Sequence, residues 1–376
     1  MKSSTRKLVV PLLVISALGL SACGAAGAGS QPGSTTTASA DPNWSTEAVS
    51  VDAGGSTSSF TYEPIPVDQV KKDMTVCVLF PNMADDYWAS ANYGSLVEAQ
   101  RDKVNYLAYN AGGYEHLQAQ LDQIDGCITQ HVSAIMIAAI SEGACSGVKK
   151  ALDAGIPVVD FINGLNCPGL EDNPQLAHVS IGPADYGASA ADLLIEQDKQ
   201  LNVALFPGPD GTSFVEAVSK AFKDRLNGSK VTVAVDKRGP LTEDSQLSLA
   251  EDVLRTYPQV DATIGNTVGG TAAVTAIRNA GKQDTVEAYQ YAITKSFYQH
   301  ILDGTAVGAV SDVAPLSSRM AFDQAVRLAS NVDPTTSNRI GPQAKLVTED
   351  TIKEIPFDEM FAPDGFQLTY NWTAGN

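Results

Sequence analysis

The stretch "ADDYWASANYG", residues 84–94, places two acids, two tyrosines and a tryptophan where the β-like run "MTVCVLFPN" turns into a helix. Aromatic side chains at a strand-to-helix turn stand either where a bound ligand can meet their faces or where they pack the start of the helix. Tyr87 and Trp88 therefore have two readings, a ligand wall or helix-face core. Asp85 or Asp86 can add charge complementarity, or cap the helix that begins near Tyr87.

Other polar residues recur at corresponding places. Reading the loops that follow β-like runs gives "NAGGY", "AAISEGA", "INGLNCPG", "PGPDGTS", "GNTVGG", "YQYAITKS" and "VSDVAPL". Asn163, Asn266 and Asp312 each follow such a run, and each either touches ligand or orders its own turn. Tyr289 and Tyr291 share one face of a strand, and Tyr291 is the candidate for the site. Tyr114, after the Gly-Gly turn, is a ligand contact or a helix cap. None of these loops holds a His beside a Ser or Cys, so no nucleophile has a base, and the expectation is a binding protein rather than an enzyme. "GPDGTS" lacks the Gly-Lys-Ser/Thr ending of a phosphate loop. No cofactor is expected. His116, His131, His178 and His300 do not cluster with the cysteines, so no metal site is expected either.

These loops need a scaffold that brings them together. From about residue 74, short apolar runs ("TVCVLF", "VNYLAY", "SAIMIAAI", "IPVVDFI", "HVSIG") alternate with helix-length segments. A second series runs from "LNVALFPG" to "AVGAVSD", with "SIGPADYG" (180–187) between them. Nearly continuous apolar strands spaced by helices imply parallel sheets covered on both faces. The fold class is α/β, two doubly wound lobes joined by a hinge. Ligands of such sheets bind outside the carboxyl ends of the strands, so two facing lobes make a cleft walled by these loops. The expected domains are 72–182 plus 314–345 for the N-terminal lobe, and 183–313 plus 346–376 for the C-terminal lobe and tail.

The first 62 residues read differently. Lys2, Arg6 and Lys7 precede "LVVPLLVISALGL", an export signal over residues 1–22. "LSAC" resembles the lipobox of bacterial lipoproteins, which would make Cys23 the lipid-modified first residue; ordinary cleavage nearby is the other reading. Residues 23–62 are expected to be a flexible linker. The formal charge is −18; removing residues 1–22 takes away three cations and no acids and makes it −21, which argues against nucleic acid as a partner. In an exported chain Cys145 and Cys167, both near strand-to-helix loops at one end of a sheet, are the candidate disulfide. Cys77 and Cys127 read as small buried hydrophobes.

The order of elements, with "VCVLFPNMADDYW", "KKALDAGIPVVDF" and "QVDATIGNTVGGTAAVTAIRNAG", resembles the type I periplasmic binding proteins, the superfamily of ribose- and galactose-binding proteins. Sugar-binding members usually carry an Asp-Arg pair where this chain has Ile162-Asn163, and often an Arg where it has Phe214-Val215. "DDYWASANYGSLVEAQ", "NAGGYEHLQAQLDQIDGC" and Asn163 are similar to the TorT family, periplasmic sensors of trimethylamine N-oxide that act on a membrane histidine kinase. That resemblance implies an aromatic enclosure including Tyr87, Trp88 and Tyr291, although Pro183, Asp185 and Tyr186 stand where the family tends to have tryptophans. The implied site set is Asp86, Tyr87, Trp88, Asn163, Asn266, Tyr291 and Asp312. The implied partners are a small ligand and either a sensor kinase or an ABC permease; a sugar receptor is the alternative. The aromatic-rich tail beyond residue 349 is expected to pack on a lobe.

Overall fold

The computed structural model describes residues 43–52, 57–333 and 339–375. The expected signal peptide and Cys23 lie outside the described residues. The chain first forms β1 (Thr46–Val51), β2 (Thr57–Tyr62) and β3 (Thr75–Phe80). Then come α1 (Asp86–Asp102), β4 (Asn105–Asn110), α2 (Leu117–Thr129), β5 (Ala134–Ile137), α3 (Cys145–Asp153), β6 (Val158–Phe161) and β7 (Leu176–Val179). The second series is α4 (Pro183–Ile195), β8 (Leu201–Phe206), α5 (Ser213–Leu226), β9 (Val231–Asp236), α6 (Glu243–Thr256), β10 (Ala262–Gly265), α7 (Thr267–Asn279), β11 (Glu287–Tyr291), α8 (Lys295–Leu302) and β12 (Gly308–Ser311). After it come α9 (Ala314–Ser330), β13 (Arg339–Pro342), β14 (Lys345–Thr348), α10 (Phe357–Met360) and β15 (Asn371–Trp372).

The strands form two sheets, in the orders β15-β4-β3-β5-β6-β7-β13-β1-β2 and β14-β12-β11-β10-β8-β9. Each has a parallel interior, most of its strands being connected through helices and β6 reaching β7 through the helix-free stretch 162–175, and antiparallel strands only at its margins. The interior strands are buried, as β5 "AIMI" and β6 "VVDF" show at every residue. This is the doubly wound two-lobed α/β fold expected.

The chain passes between lobes near Gly182, between β12 and α9, and between β13 and β14. Gly341 is required at one crossing: a Cβ there would lie 2.4 Å from the Ser180 carbonyl oxygen. Val313, fully buried, turns the chain from β12 into α9 with φ of 47°. A β-branched residue in the left-handed region is strained, and persists because the packing around it leaves no alternative.

Three expectations change. Residues 46–51 and 57–62 are not linker: β1 and β2 pair antiparallel and extend the first sheet through β1–β13 pairing. Their Ser/Thr-rich composition hid this, since among the described residues of the two strands only Ala48 and Tyr62 are fully buried. Nor does the tail belong to the C-terminal lobe alone. Met360 and Phe361 join that lobe's core, but β15 then pairs with β4 on the first sheet. Finally, Cys77 on β3 and Cys127 on α2 form a disulfide, as do Cys145 and Cys167. An apolar strand and the buried face of the helix crossing it hold two thiols at contact distance, which burial alone does not reveal.

Opening the Cys77–Cys127 bridge frees a 50-residue loop and opening Cys145–Cys167 a 22-residue one. Cys127→Ser is therefore expected to cost about 4 kcal/mol and Cys167→Ser about 3 kcal/mol, from loop-closure entropy. Chemical denaturation of each variant measures the difference, and thiol titration of the unreduced chain should find none of the four free.

Candidate ligand-binding site

A cavity of about 800 Å³ lies between the lobes, lined by the loops after β3, β4, β6, β8, β9, β10 and β11. Its size is that of an ordinary small-molecule site. It sits outside the carboxyl ends of both sheets, as the doubly wound topology requires.

Five rings line it: Tyr87, Trp88, Tyr114, Phe214 and Tyr291. Tyr87 and Trp88 are neighbours in the first turn of α1 with centroids 5.3 Å apart and planes perpendicular. Phe80, at the end of β3, meets Trp88 edge-on at 6.1 Å and fixes its ring. From the other lobe, Tyr291 at the end of β11 donates its hydroxyl to the Pro207 carbonyl. Tyr186 stands behind, edge-on to Phe214 at 6.0 Å and to Tyr291 at 6.2 Å. Tyr186 is thus a buttress, and Phe214 supplies the wall on that side.

Asp85, Glu115, Asp210 and Glu243 also line the cavity, and no Lys, Arg or His is among its described lining residues. Arg238 offsets Asp210, bonding to it at 3.1 Å and to Glu216. Asp85 is the N-cap of α1 and accepts from the Trp88 amide at 3.0 Å. Burial raises its pKa to about 6, and the neighbouring Asp86 adds to the rise; bonds from Trp88 and Thr267 oppose it. It therefore both caps the helix and faces the cavity.

The other candidates separate. Asn163 lines the cavity, donating to the Ala139 carbonyl at 2.9 Å and lying 3.3–3.4 Å from the Tyr114 hydroxyl. Its loop follows Ile162, a β-branched lining residue at φ of 62°. Asn266 also lines the cavity, but its side chain caps α7, accepting from Val268 and Gly269 and donating to Phe206. Asp312 is not a lining residue. It accepts from the Tyr87 hydroxyl at 2.6 Å, fixing that ring, and burial raises its pKa to about 6. Asp86 is not one either: its carboxylate turns toward the opposite lobe and accepts from the Lys295 amide at 2.9 Å. The acid one position earlier has the exposure to ligand expected of Asp86, because the N-cap points back over the helix start.

Asp85, Tyr114 and Phe214 were absent from the site set. The first two carried ambiguous cap signals. Phe214 gives no signal in the sequence beyond standing where sugar-binding members place an arginine.

Residues 76–332 match the family model of the periplasmic binding protein domain. The chain belongs to that family. This binding protein is 26% identical over 313 residues to the periplasmic protein TorT of Escherichia coli (strain K12), covering 83% of this chain and 88% of that one. It is also similar to an ABC transporter solute-binding protein from Bradyrhizobium sp. BTAi1 with bound Bis-Tris. There the identity is 31%, the cover 87% of this chain and 98% of that one, and the TM-score 0.73. The complex of TorT with the TorS sensor domain in the presence of trimethylamine N-oxide superimposes with a TM-score of 0.70 at 23% identity, covering 79% of this chain and all of that one. The protein is accordingly a non-catalytic solute-binding protein of the periplasmic type.

Proposed function

We propose that the binding protein closes on a small amine carrying positive charge at a methylated or hydroxyalkylated nitrogen, N-oxides included. The observation that carries this is the lining: five rings and four carboxylates, with no cationic side chain among them. Ring faces hold an alkylated ammonium group without needing its hydrogen bonds. A buried sugar needs bidentate donors for its hydroxyls, and the positions where sugar-binding members place Arg hold Asn163 and Phe214. The similarity to TorT and to a solute-binding protein holding Bis-Tris, a hydroxylated tertiary amine, supports the same class. The closed form is what a membrane sensor kinase or an ABC permease would read, with Cys23 as lipid anchor at the extracytoplasmic face.

Calorimetry against trimethylamine N-oxide, choline, Bis-Tris, D-ribose and D-allose tests the proposal. Binding of an amine, weakened roughly tenfold or more in Trp88→Ala by loss of a ring face, supports it. Binding of the sugars alone would overturn it and make the rings stacking platforms for a pyranose.

A further inference from the structure

The two acids at the start of α1 both reach across the cleft. Asp86, at the first helical position, accepts from the backbone amide of Lys295, the first residue of α8. Asp85 places its second oxygen 3.5 Å from the Thr267 hydroxyl at the start of α7. Helices α1 and α9 pack together on the first lobe, and α7 and α8 on the second. Lobe separation must break the Asp86 bond, which involves no ligand atom.

We propose that Asp86 is a latch of the closed state, which sets the cleft's affinity for every ligand by one common factor rather than recognising any of them. A carboxylate on a free helix amide is a charge-assisted bond aided by the helix dipole. It therefore favours closure before ligand arrives. A ligand that binds the closed form binds more weakly in proportion as that form is depopulated.

Lys295 ties the latch to the C-terminal tail. Its ammonium group bonds Asp364 at 3.1 Å and lies 5.5 Å from the Phe357 ring centroid. From there the tail returns to the first lobe. The Ala362 amide donates to Ser90, Thr369 exchanges two bonds with Asn92, Phe366 meets Tyr93 edge-on at 5.3 Å, and β15 pairs with β4. The tail is thus a further connection between the lobes, fastened beside the latch.

The proposal rests on the solute-binding reading only in needing a cleft that opens. Asp86→Ala removes the acceptor. Lys295→Pro removes the donor at a first helical position, where proline fits, and the extended Thr294 before it suits a following proline. Lys295→Ala keeps the amide and controls for the side chain. Small-angle scattering of the ligand-free full chain should show a larger radius of gyration for Asp86→Ala and Lys295→Pro than for Lys295→Ala. Whichever of choline, trimethylamine N-oxide, Bis-Tris and D-ribose bind should all weaken by the same factor, about 10- to 100-fold, the size of one charged hydrogen bond. The double variant should be no worse than either single one. A loss confined to cationic ligands would make Asp86 a ligand contact and overturn the latch, as would an unchanged radius with unchanged affinities. Since scattering needs no ligand and D-ribose is among the probes, failure of the amine assignment leaves this test readable.

Discussion

Asp85→Asn is expected to weaken binding of a cationic amine by about 30-fold while leaving a neutral ligand within a few-fold of its original affinity. Asparagine caps a helix as well as aspartate does, so α1 keeps its acceptor for the Trp88 amide and loses only the charge. A hydrogen bond or contact involving a charged group in such a buried place contributes about 1.5–3 kcal/mol, which sets the factor. The pH dependence has a definite sign. Because burial raises Asp85 to about 6 in the ligand-free site, the group gains its proton as the pH falls through about 6, and a bound cation favours the carboxylate. Affinity should be steady above pH 7 and fall below pH 6, by at most tenfold per unit, as binding must first expel the proton. Asp86, whose pKa burial also raises, and Tyr114 adjoin this group. Calorimetry from pH 5 to 8 on the parent and Asp85→Asn separates them: the variant should lose the fall below pH 6. A parent profile as flat as that of the variant would remove Asp85 as counter-ion.

Much of the scaffold was legible because its signals are local. Strands such as "AIMI" and "VVDF" sit in sheets buried on both faces, so their nearly continuous apolar runs, broken in β6 only by Asp160, and the intervening helices report the fold directly. The rings at Tyr87, Trp88 and Tyr291 were legible for a related reason: the ends of strands and starts of helices in this topology face the cleft. What escaped depends on direction within one helical turn. Asp85 and Asp86 are adjacent and chemically alike, yet one is an N-cap over the cavity and the other points to the opposite lobe. Sequence spacing does not decide between them; the position of α8 does. Asp312 escaped likewise, since it reaches the site only through the Tyr87 hydroxyl. The pair β1–β2 escaped because what holds it, pairing with β13 and the bond of Tyr62 to Asp323 261 residues on, is distant in sequence.

The second large effect is expected far from the cavity, at Asp323. This buried carboxylate on α9 accepts from the Tyr62 hydroxyl, from the Ile65 amide at 2.6 Å and from Arg327 at 2.7 Å. Beside it, Glu98 on α1 accepts from Trp44, Arg101 and Arg319 at 2.9–3.1 Å, and the Arg319 guanidinium lies 4.5 Å from the Trp44 ring centroid. Oxygens of Glu98, Asp102 and Asp323 lie within 4.8 Å of one another, the spacing of a cation site, but Arg101, Arg319 and Arg327 supply three positive charges in the same place. The network is therefore a bolt that fixes Trp44, Tyr62 and Ile65 onto α1 and α9. Asp323→Ala takes the acceptor from the Tyr62 hydroxyl and the Ile65 amide and leaves Arg327 with the Glu63 carbonyl but no carboxylate, and breaking a buried pair from one side costs about 3–5 kcal/mol. Thermal denaturation should show the loss, and hydrogen exchange should show it concentrated in residues 43–65. Ligand affinity should stay within about threefold, because no member of the network lines the cavity. Equal exchange across both lobes would show instead that the network holds the whole fold.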